Sequence, residues 1–279
     1  MKLNLICPVC DSEDFTVLVK DKLRTDTLKC EVCKLGIQSS IGSDFDSVDK
    51  ILDFYSAKGY DRHQKSNNRP SAIERFNHDS WVAHQRFKQL ENFIPKDWAD
   101  GSSIWVDMGC SNGAFLTYAK RKGYKVIGLE LDQERCRELS NTLLIPVYTP
   151  YNFFFSSLAH RYTDEMKNIL TIGYGDRTMP SLKVLSLFDV IEHLLDPVGF
   201  LLTHAKLFSR VVIETPDYSK STYKNLKNWK HYRYNEHLTY WTKDSFEWLV
   251  NNGALKNIFK ICGVNYPIED KLQIVLERI

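Results

Sequence analysis

The sequence predicts an α/β fold with a buried parallel sheet, preceded by a small cysteine-rich module. Three observations support this prediction. After about residue 100, short apolar runs alternate with segments of helical periodicity, as in chains that build parallel sheets. Two C-x2-C pairs lie close to the N-terminus. The 279 residues are 43% hydrophobic and 26% charged, close to the globular average, which excludes collagen-like and wholly disordered chains.

The overall charge and the N-terminus exclude further classes. The 37 basic and 35 acidic residues give a net charge of +2, so no global field draws the chain onto nucleic acid or an anionic membrane. No run approaches about 18 apolar residues, so no membrane span is expected. The N-terminal MKLNLICPVC reaches a cysteine pair too soon for the apolar core of a signal peptide. We therefore expect a cytoplasmic protein, and the odd count of 7 cysteines argues against a disulfide framework.

The paired cysteines form the first candidate site. The pairs are CPVC and CEVC, separated by nineteen residues, and their members are Cys7, Cys10, Cys30 and Cys33. Two such turns, brought together by a short hairpin, surround one point with four sulfur atoms, as in a zinc ribbon. The apolar and β-branched residues within 15–28 predict two short strands joined by a charged turn at 21–22. We predict a structural Zn²⁺ with four protein ligands; the alternative is four reduced cysteines in a small β-subdomain.

This cysteine-rich module is acidic. Residues 1–50 contain seven Lys and Arg against nine Asp and Glu. Four thiolates around one Zn²⁺ would add two further negative charges. Because binding to nucleic acid phosphates requires a basic face, the module is not expected to hold nucleic acid, although a nucleic-acid partner for the whole chain is not excluded.

A helical segment follows the module. Residues 69–95 have apolar side chains at helical spacing, a Pro-Ser start signal and a proline stop. We interpret its His78 and His84 as surface or boundary residues. The sequence thus predicts three parts, which are a zinc-ribbon module at 1–50, a helical linker at 51–99 and a main domain at 100–279.

A turn of small residues after residue 103 gives the strongest functional signal. The chain here has the pattern of a strand, a small-residue turn, a helix, a second strand and an acid. These elements are the strand 104–106 with Asp107, the turn residues Gly109, Ser111 and Gly113, the helix 114–122, the strand 126–129 and Glu130. Such a turn lets main chain approach a ligand closely, and an acid at the tip of the second strand is placed to accept hydrogen bonds from ribose hydroxyls.

The patterns D-x-G-C-x-x-G and V-x-G-x-E resemble those of the class I S-adenosylmethionine-dependent methyltransferases. Ser111 stands where a dinucleotide fingerprint has its second glycine, which suits a cofactor without phosphates. The resemblance implies a Rossmann-like seven-stranded sheet with S-adenosylmethionine as cofactor; the alternative is a structural turn in another α/β protein. It implies cofactor-binding roles for Asp107, Gly109, Ser111, Gly113, Glu130 and Asp189, with Asp176 as the candidate for the acid beside the adenine amino group.

The later chain supports the same resemblance. Residues 184–187 predict a buried strand that runs into FDVIEHLLDP, where Glu192 and His193 match the EHL common in the family. The remaining predictions are a helix from Asp196 to about Phe208, a strand at 210–214, a helix from Thr242 to Asn251 and terminal antiparallel strands at 255–264 and 272–278. A zinc ribbon before such a domain is similar to the arrangement in deoxysugar C-methyltransferases and related glycan-biosynthesis methyltransferases.

The acceptor side is predicted from the same resemblance. Methyl transfer to a hydroxyl requires a group that positions the acceptor and removes its proton. In the family, the EH matching Glu236 and His237 lies on the substrate side. We predict His237 as the general base, with Glu236 and His193 as further catalytic candidates. The alternative for His237 is a histidine bonded to loop backbone.

Two further segments allow two interpretations each. One is basic, lacks acids from 218 to 235, and consists of Lys220, Lys224, Lys227, Lys230 and Arg233 interleaved with Trp229, Tyr232 and Tyr234. It predicts either a site for an acidic or phosphorylated acceptor with aromatic stacking, or a solvated helix face. The aromatic segment 148–170 is either a substrate lid or a buried hydrophobic corner.

The sequence therefore predicts a methyltransferase acting on a small polar or saccharide acceptor in sugar or glycan biosynthesis, with oxygen as the expected target atom. The acceptor is expected to be a saccharide or a phosphorylated metabolite. One alternative is an RNA-base methyltransferase that holds RNA with the ribbon and the basic 220–233 run. Another is a non-catalytic adaptor that keeps the fold and docks proteins through the ribbon.

Overall fold

The computed structural model describes residues 5–20, 26–39, 72–158, 181–221, 226–233 and 236–279. By its internal contacts the chain divides into two compact units. The first joins Met1–Asp46 to Leu187–Ile279, and the second spans Ser47–Ser186. The N-terminal module thus belongs with the C-terminal third of the chain. The predicted three-part organisation stays a prediction.

The first unit contains a four-stranded antiparallel sheet built mainly by the N-terminal module. Its strands are β1 (Phe15–Val19), β2 (Thr27–Cys30), β3 (Gly36–Gln38) and β9 (Thr239–Tyr240), in the order β1-β2-β3-β9. The two predicted strands are confirmed as β1 and β2. The charged turn predicted at 21–22 lies outside the described residues. The strands β3 and β9 are only 3 and 2 residues long, too short for a period-2 pattern to predict them.

The second unit contains the predicted strand–turn–helix–strand pattern. Its parallel strands are β4 (Ser103–Met108), β5 (Lys125–Leu129) and β6 (Val147–Tyr148), and its helices are α1 (Ala72–Leu90), α2 (Ala114–Arg121), α3 (Gln133–Leu143) and α4 (Pro150–Leu158). The strand β4 is buried throughout, and Trp105 at its centre stacks on Phe87 of α1 with ring centroids 5.8 Å apart. The predicted histidines of α1, His78 and His84, are exposed.

The remaining strands complete the expected sheet. They are β7 (Ser181–Phe188), β8 (Arg210–Pro216), β10 (Phe259–Ile268) and β11 (Lys271–Arg278). The strand β11 pairs antiparallel with both β8 and β10. The sheet has the order β10-β11-β8-β7-β4-β5-β6, which confirms the predicted Rossmann-like seven-stranded sheet with antiparallel terminal strands.

Two helices differ from the sequence predictions. The helix that begins after Asp196 is α5 (Pro197–Thr203); it ends five residues before Phe208 because a separate 3-10 turn, Ala205–Leu207, follows it. The aromatic segment begins as helix α4, in which Phe153 and Phe154 are buried, as a hydrophobic corner requires. The helix predicted after Thr242 is confirmed as α6 (Lys243–Asn251).

Within the described residues, no helix is both long and apolar enough to cross a bilayer.

Candidate functional sites

The small-residue turn after β4 is fastened to the end of β5. In the parallel register, Met108 lies opposite Leu129. The backbone N–H groups of Gly109 and Cys110 both donate to the carbonyl oxygen of Leu129, at 2.8 and 3.0 Å. Glu130 is the next residue along the chain, so the predicted turn and the predicted acid lie side by side at the carboxyl edge of the sheet.

The turn depends on backbone that favours glycine. Gly109, Ser111 and Gly113 have φ angles of 71°, 52° and 73°, all in the left-handed region. A second requirement comes from β5, where a Cβ added to Gly128 would lie 2.8 Å from the sulfur of Cys110. The turn can therefore pack on β5 only because position 128 has no side chain.

The two carboxylates of this edge have different surroundings. Asp107 is 3% exposed and accepts a hydrogen bond from the Ser186 hydroxyl at 2.6 Å, while the Trp105 indole donates to that hydroxyl at 2.9 Å. Glu130 is half-buried, and its Oε1 accepts from the backbone N–H of Leu131 at 2.8 Å. Asp107 is thus fixed within the unit, whereas Glu130 keeps a partly exposed carboxylate. Sequence analysis did not single out Ser186, which only the pairing of strands brings to Asp107.

The cavity of about 340 Å³ in this unit does not coincide with the turn. Residues of α3, β6 and α4 line it, among them Cys136, Tyr148 and Asn152. Cys136 links this cavity to Glu130, because the Cys136 thiol donates to the backbone carbonyl oxygen of Glu130 at 3.3 Å. None of the turn residues 109–113 lines it.

The other two predicted cofactor residues are placed differently. Asp189 belongs to the first unit, where its carboxylate forms an ion pair with Lys271. Its backbone N–H donates to the backbone carbonyl oxygen of Glu214 at 2.8 Å. Its φ of 56° is unusual for a residue other than glycine, and aspartate tolerates it better than most. Asp176 lies outside the described residues.

The four paired cysteines, called here the cysteine cluster, converge as predicted. Their sulfur atoms all lie within 4.8 Å of one another, with Cys7 and Cys33 at 3.5 Å and Cys10 and Cys30 at 3.3 Å. Sulfur atoms at the corners of a tetrahedron with 2.3 Å bonds to zinc would be about 3.8 Å apart. The donor set and its spacing therefore fit a four-sulfur zinc site. The hydrogen bond from Cys33 lowers the pKa of the Cys7 thiol to about 6.

Each cysteine pair forms the same tight turn. The residue after each pair, Asp11 or Lys34, has a positive φ of 56° or 64°. Its backbone N–H donates to the backbone carbonyl oxygen of the first cysteine of the pair, which is Cys7 at 2.9 Å in one turn and Cys30 at 3.0 Å in the other. The two turns aim their sulfur atoms at one point because they share this backbone geometry.

The cysteine-rich module is bound to the segment that precedes α6. Strand β3 pairs with β9, and the backbone N–H of Gln38 donates to the backbone carbonyl oxygen of Leu238 at 3.0 Å. The Tyr218 hydroxyl donates to the carbonyl of Lys34 at 2.5 Å. Since Leu238 directly follows His237, the module helps to set the position of that histidine.

His193 and His237, two predicted catalytic residues, lie together with Glu192. One ligand atom from each of the three lies within 4.8 Å of the others, and the two imidazole rings are 4.7 Å apart and nearly perpendicular. We call these three residues the histidine cluster. The backbone N–H of Leu238 donates to the Glu192 carbonyl at 2.8 Å, which joins the two segments. Sequence analysis matched Glu192 to a family motif but did not propose it as a site residue; its position beside His193 was the available signal.

Burial dominates the electrostatics of this cluster. Glu192 is 1% exposed and His237 is 4% exposed. Burial lowers the pKa of His193 to about 4, and burial followed by the neighbouring His193 holds the pKa of His237 well below its usual value. Both rings are therefore neutral at pH 7. A histidine of such low basicity is a weak general base, because proton transfer is most efficient when the pKa is near the working pH.

Glu236 contacts the histidine cluster through its backbone carbonyl oxygen. Its carbonyl oxygen accepts a hydrogen bond from Nδ1 of His193 at 2.6 Å. Its carboxylate instead pairs with Arg233 at 3.0 Å. The structure thus brings the three predicted catalytic residues together, with Glu236 orienting a ring rather than presenting its acid to the cluster.

The basic 220–233 run is partly paired and its aromatic residues are partly buried. Lys230 lies 4.0 Å from Asp270, and Arg233 bonds Glu236. Trp229 is 2% exposed and packs with Tyr218 and Tyr240, so stacking of Trp229 on an acceptor ring, one of the two interpretations, is wrong. Lys224 and Tyr234 lie outside the described residues.

Comparison with known proteins gives a family and a fold. The family model described as a methyltransferase domain matches residues 82–258. Among curated proteins, none matches this chain.

Three solved structures are similar to this chain at low identity, and the first of them shares its fold. The crystal structure of magnesium protoporphyrin IX methyltransferase (ChlM) from Synechocystis PCC 6803 with bound SAH is 12% identical, with 84% of this chain and 100% of that chain covered and a TM-score of 0.51. The methyltransferase domain of bacterial-CtHen1-C is 16% identical, with coverages of 71% and 98% and a TM-score of 0.45. The pyocyanin biosynthetic protein PhzM is 14% identical, with coverages of 86% and 71% and a TM-score of 0.47.

Proposed function

The chain belongs to the methyltransferase-domain family and is an S-adenosylmethionine-dependent methyltransferase, and we propose that it methylates an oxygen atom of a small polar acceptor. The acceptor class that we propose is a saccharide or a phosphorylated metabolite of sugar or glycan biosynthesis. The observation that supports cofactor use most directly is the turn 109–113, which is bonded to the end of β5 beside Glu130.

The residues of this edge fit an adenosyl cofactor. When bound, the cofactor supplies a methyl group on a positively charged sulfur. Gly109, Ser111 and Gly113 would bring main chain close to it, and Glu130 would accept hydrogen bonds from its ribose hydroxyls. Asp107, held by Ser186, keeps the end of β4 in position.

The acceptor proposal is supported by residues of the unit that contains the histidine cluster. Its histidines 193 and 237 lie beside Glu192, where they can hold an acceptor hydroxyl group in position rather than act as strong bases. The acidic composition of residues 1–50 and the pairing of Lys230 and Arg233 do not favour RNA. The intact turn and Glu130 do not favour an adaptor without cofactor.

Calorimetric titration with S-adenosylmethionine tests the cofactor site. We expect the wild type to bind and Glu130→Ala to bind about 10- to 150-fold more weakly, since a hydrogen bond to a charged group contributes about 1.5–3 kcal/mol. Glu138→Ala, which removes an exposed acid from α3, is the matched control and should bind as the wild type does. An absence of binding by the wild type contradicts the proposal.

A turnover screen then tests the acceptor. Sugar nucleotides, glycans and RNA are offered with labelled cofactor, and transfer of label is measured. We expect label on a saccharide or phosphorylated small molecule. Label on RNA, with a steep dependence of binding on salt, would favour the RNA-base alternative instead.

We also propose that the cysteine cluster holds a structural Zn²⁺. The fit of its four sulfur atoms to a tetrahedral site supports this, and four protein ligands leave no position for a substrate. Thiolate ligands must stay reduced, which favours a reducing compartment such as the cytoplasm. Elemental analysis of purified protein should find one zinc per chain at this cluster, and Cys10→Ser should lose it.

A further inference from the structure

We propose that Glu192, His193 and His237 form a second metal site, which binds a divalent first-row transition-metal ion distinct from the zinc of the cysteine cluster. Nitrogen from two imidazoles and oxygen from one carboxylate is a donor set that suits Zn²⁺, Co²⁺, Fe²⁺ or Mn²⁺. It differs from the all-oxygen sets preferred by Mg²⁺ and Ca²⁺.

The three side chains already converge in the structure. One donor atom from each lies within 4.8 Å of the other two. Donors bound at about 2.1 Å to one ion lie about 3.0–3.4 Å apart, so small side-chain rotations complete the site. The backbone is fixed on both sides, because the N–H of Leu238 donates to the carbonyl of Glu192 at 2.8 Å.

The orientation of the His193 ring matches that of a metal-binding histidine. Nδ1 of His193 bonds the carbonyl oxygen of Glu236 at 2.6 Å. A carbonyl only accepts, so Nδ1 must donate its proton and Nε2 carries the lone pair. Metal-bound histidines typically donate their second ring N–H to a backbone carbonyl or carboxylate in this way.

His237 supplies an independent indication. Its Nδ1 is buried and has no hydrogen-bond partner within the part of the chain that the structure describes. The whole side chain is 4% exposed, and its ring also interacts with the backbone of His231. Buried polar atoms are almost always bonded, so an unpartnered ring nitrogen on a residue that lies beside a histidine and a carboxylate points to a missing ligand.

Three protein ligands leave coordination positions of the metal ion open, unlike the four ligands of the cysteine cluster. Open positions on such an ion take water or another oxygen ligand, whose pKa the ion lowers. If the proposed oxygen methylation is correct, this ligand is a hydroxyl group of the acceptor, whose proton leaves to solvent. This last assignment depends on the proposed function, whereas metal binding itself does not.

Cobalt titration of the full-length protein tests the site. The second ion is first removed with a chelator mild enough to leave one zinc per chain in the cysteine cluster. Co²⁺ is then added without cofactor or acceptor and followed by visible absorption. We expect one equivalent to bind with the d–d bands of nitrogen and oxygen ligation and without the sulfur charge-transfer band of a thiolate site.

Variants assign the signal to the three residues. Glu192→Gln and His193→Asn should each weaken Co²⁺ binding at least 10-fold while one zinc per chain is retained. His204→Asn, which removes another histidine of the same unit that lies outside the cluster, should bind Co²⁺ as the wild type does. Circular dichroism and thermal melting confirm that each variant is folded.

The wild-type titration decides the proposal even where a variant does not fold. Absence of an additional cobalt equivalent, or a signal with thiolate character only, overturns the second site. A cobalt signal that both folded variants retain also overturns it. Because cofactor binding and turnover are measured separately, a failure of the proposed methyltransferase activity is distinguishable from a failure of the metal site.

Discussion

The cysteine cluster and the histidine cluster lie in the same unit but are built in opposite ways. The cysteine cluster consists of two identical local turns of one amino-acid type, and four sulfur ligands close it. The histidine cluster combines a local Glu-His pair with a histidine more than forty residues away, and it supplies only three ligands. The closed set suits a structural ion, whereas the open set suits an ion that takes a further ligand.

The two clusters are also connected through the pairing of two short strands. Strand β3 follows the second cysteine turn, and it pairs with β9 immediately after His237 and Leu238. The histidine cluster therefore depends on the cysteine-rich module for the position of His237, one of its proposed ligands. Within the described residues, no comparable strand pairing joins the cysteine turns to Glu192 or His193, so we expect loss of the cysteine cluster to reach the histidine cluster through β3 and β9.

The largest expected effect comes from breaking the cysteine cluster. Cys30→Ser removes a fully buried sulfur atom, one of the four proposed zinc ligands. We expect loss of the zinc and a fall of more than about 4 kcal/mol in the free energy of unfolding, as for other lost structural metals. Cobalt binding at the histidine cluster should fall with it, because β3 no longer holds β9. Elemental analysis, thermal melting and cobalt titration measure the three effects.

Cys262→Ser is the matched control for this change. Cys262 is half-buried outside both clusters, and its sulfur donates to the Val275 carbonyl at 3.4 Å, a bond that serine also makes. We expect one zinc per chain and unchanged cobalt binding. If Cys30→Ser behaves like this control, the cysteine cluster is not a zinc site.

A smaller change tests the connection itself. Gln38 is 1% exposed, and its Nε2 donates to the Tyr240 hydroxyl at 3.2 Å and to the Arg233 carbonyl at 3.3 Å. Gln38→Leu leaves these oxygens without that donor and should cost about 1–3 kcal/mol. We expect a several-fold loss of cobalt affinity while one zinc per chain is retained.

Gln133→Leu provides the comparison, since Gln133 is exposed on α3 in the other unit. It should alter neither metal. Loss of zinc in Gln38→Leu would mean that zinc binding depends on this contact as strongly as cobalt binding does and that the two clusters form one cooperative structure.

The same contrast explains what the sequence could predict. The cysteine site and the turn 109–113 were predictable because their residues are close in sequence and because each turn imposes a backbone geometry that few residue types accept. The strands around them were predictable from continuous apolar runs. Asp176 lies outside the described residues, so its role stays a prediction, as do the other cofactor-binding roles.

Features that depend on tertiary contacts were not predictable. Glu192 becomes a candidate ligand only when His237 is brought to it, and β9 has two residues and exists only because β3 pairs with it. Trp229 looked like a stacking platform because aromatic residues alternated with lysines, but burial against Tyr218 and Tyr240 competes with exposure and wins. Periodicity reports local faces, and none of these contacts is local.

Tyr218→Phe tests the contact between the cysteine turns and the later chain. The Tyr218 hydroxyl donates to the carbonyl of Lys34, which directly follows Cys33. Phenylalanine keeps the packed ring and removes only this bond, so we expect a loss of about 1.5 kcal/mol in the free energy of unfolding. Zinc should transfer faster to a chromophoric chelator, whereas Tyr151→Phe, at a 69% exposed position, should not change the rate. An unchanged rate in Tyr218→Phe means that the Lys34 carbonyl does not help to hold the second turn.

The smallest expected effect comes from Thr242→Ala. This change tests whether the histidine cluster responds to the pairing of β3 with β9 or to the overall stability of the protein. The Thr242 hydroxyl caps α6 by accepting from the backbone N–H of Ser245 at 3.2 Å, and the Ser245 hydroxyl accepts from the backbone N–H of Thr242 at 3.3 Å. Thr242→Ala should cost about 1 kcal/mol and lower the melting temperature by about 2 °C. It touches neither cluster, so we expect unchanged zinc content and unchanged cobalt affinity. If Thr242→Ala weakens cobalt binding as much as Gln38→Leu does, then the histidine cluster responds to stability in general and not to the pairing of β3 with β9.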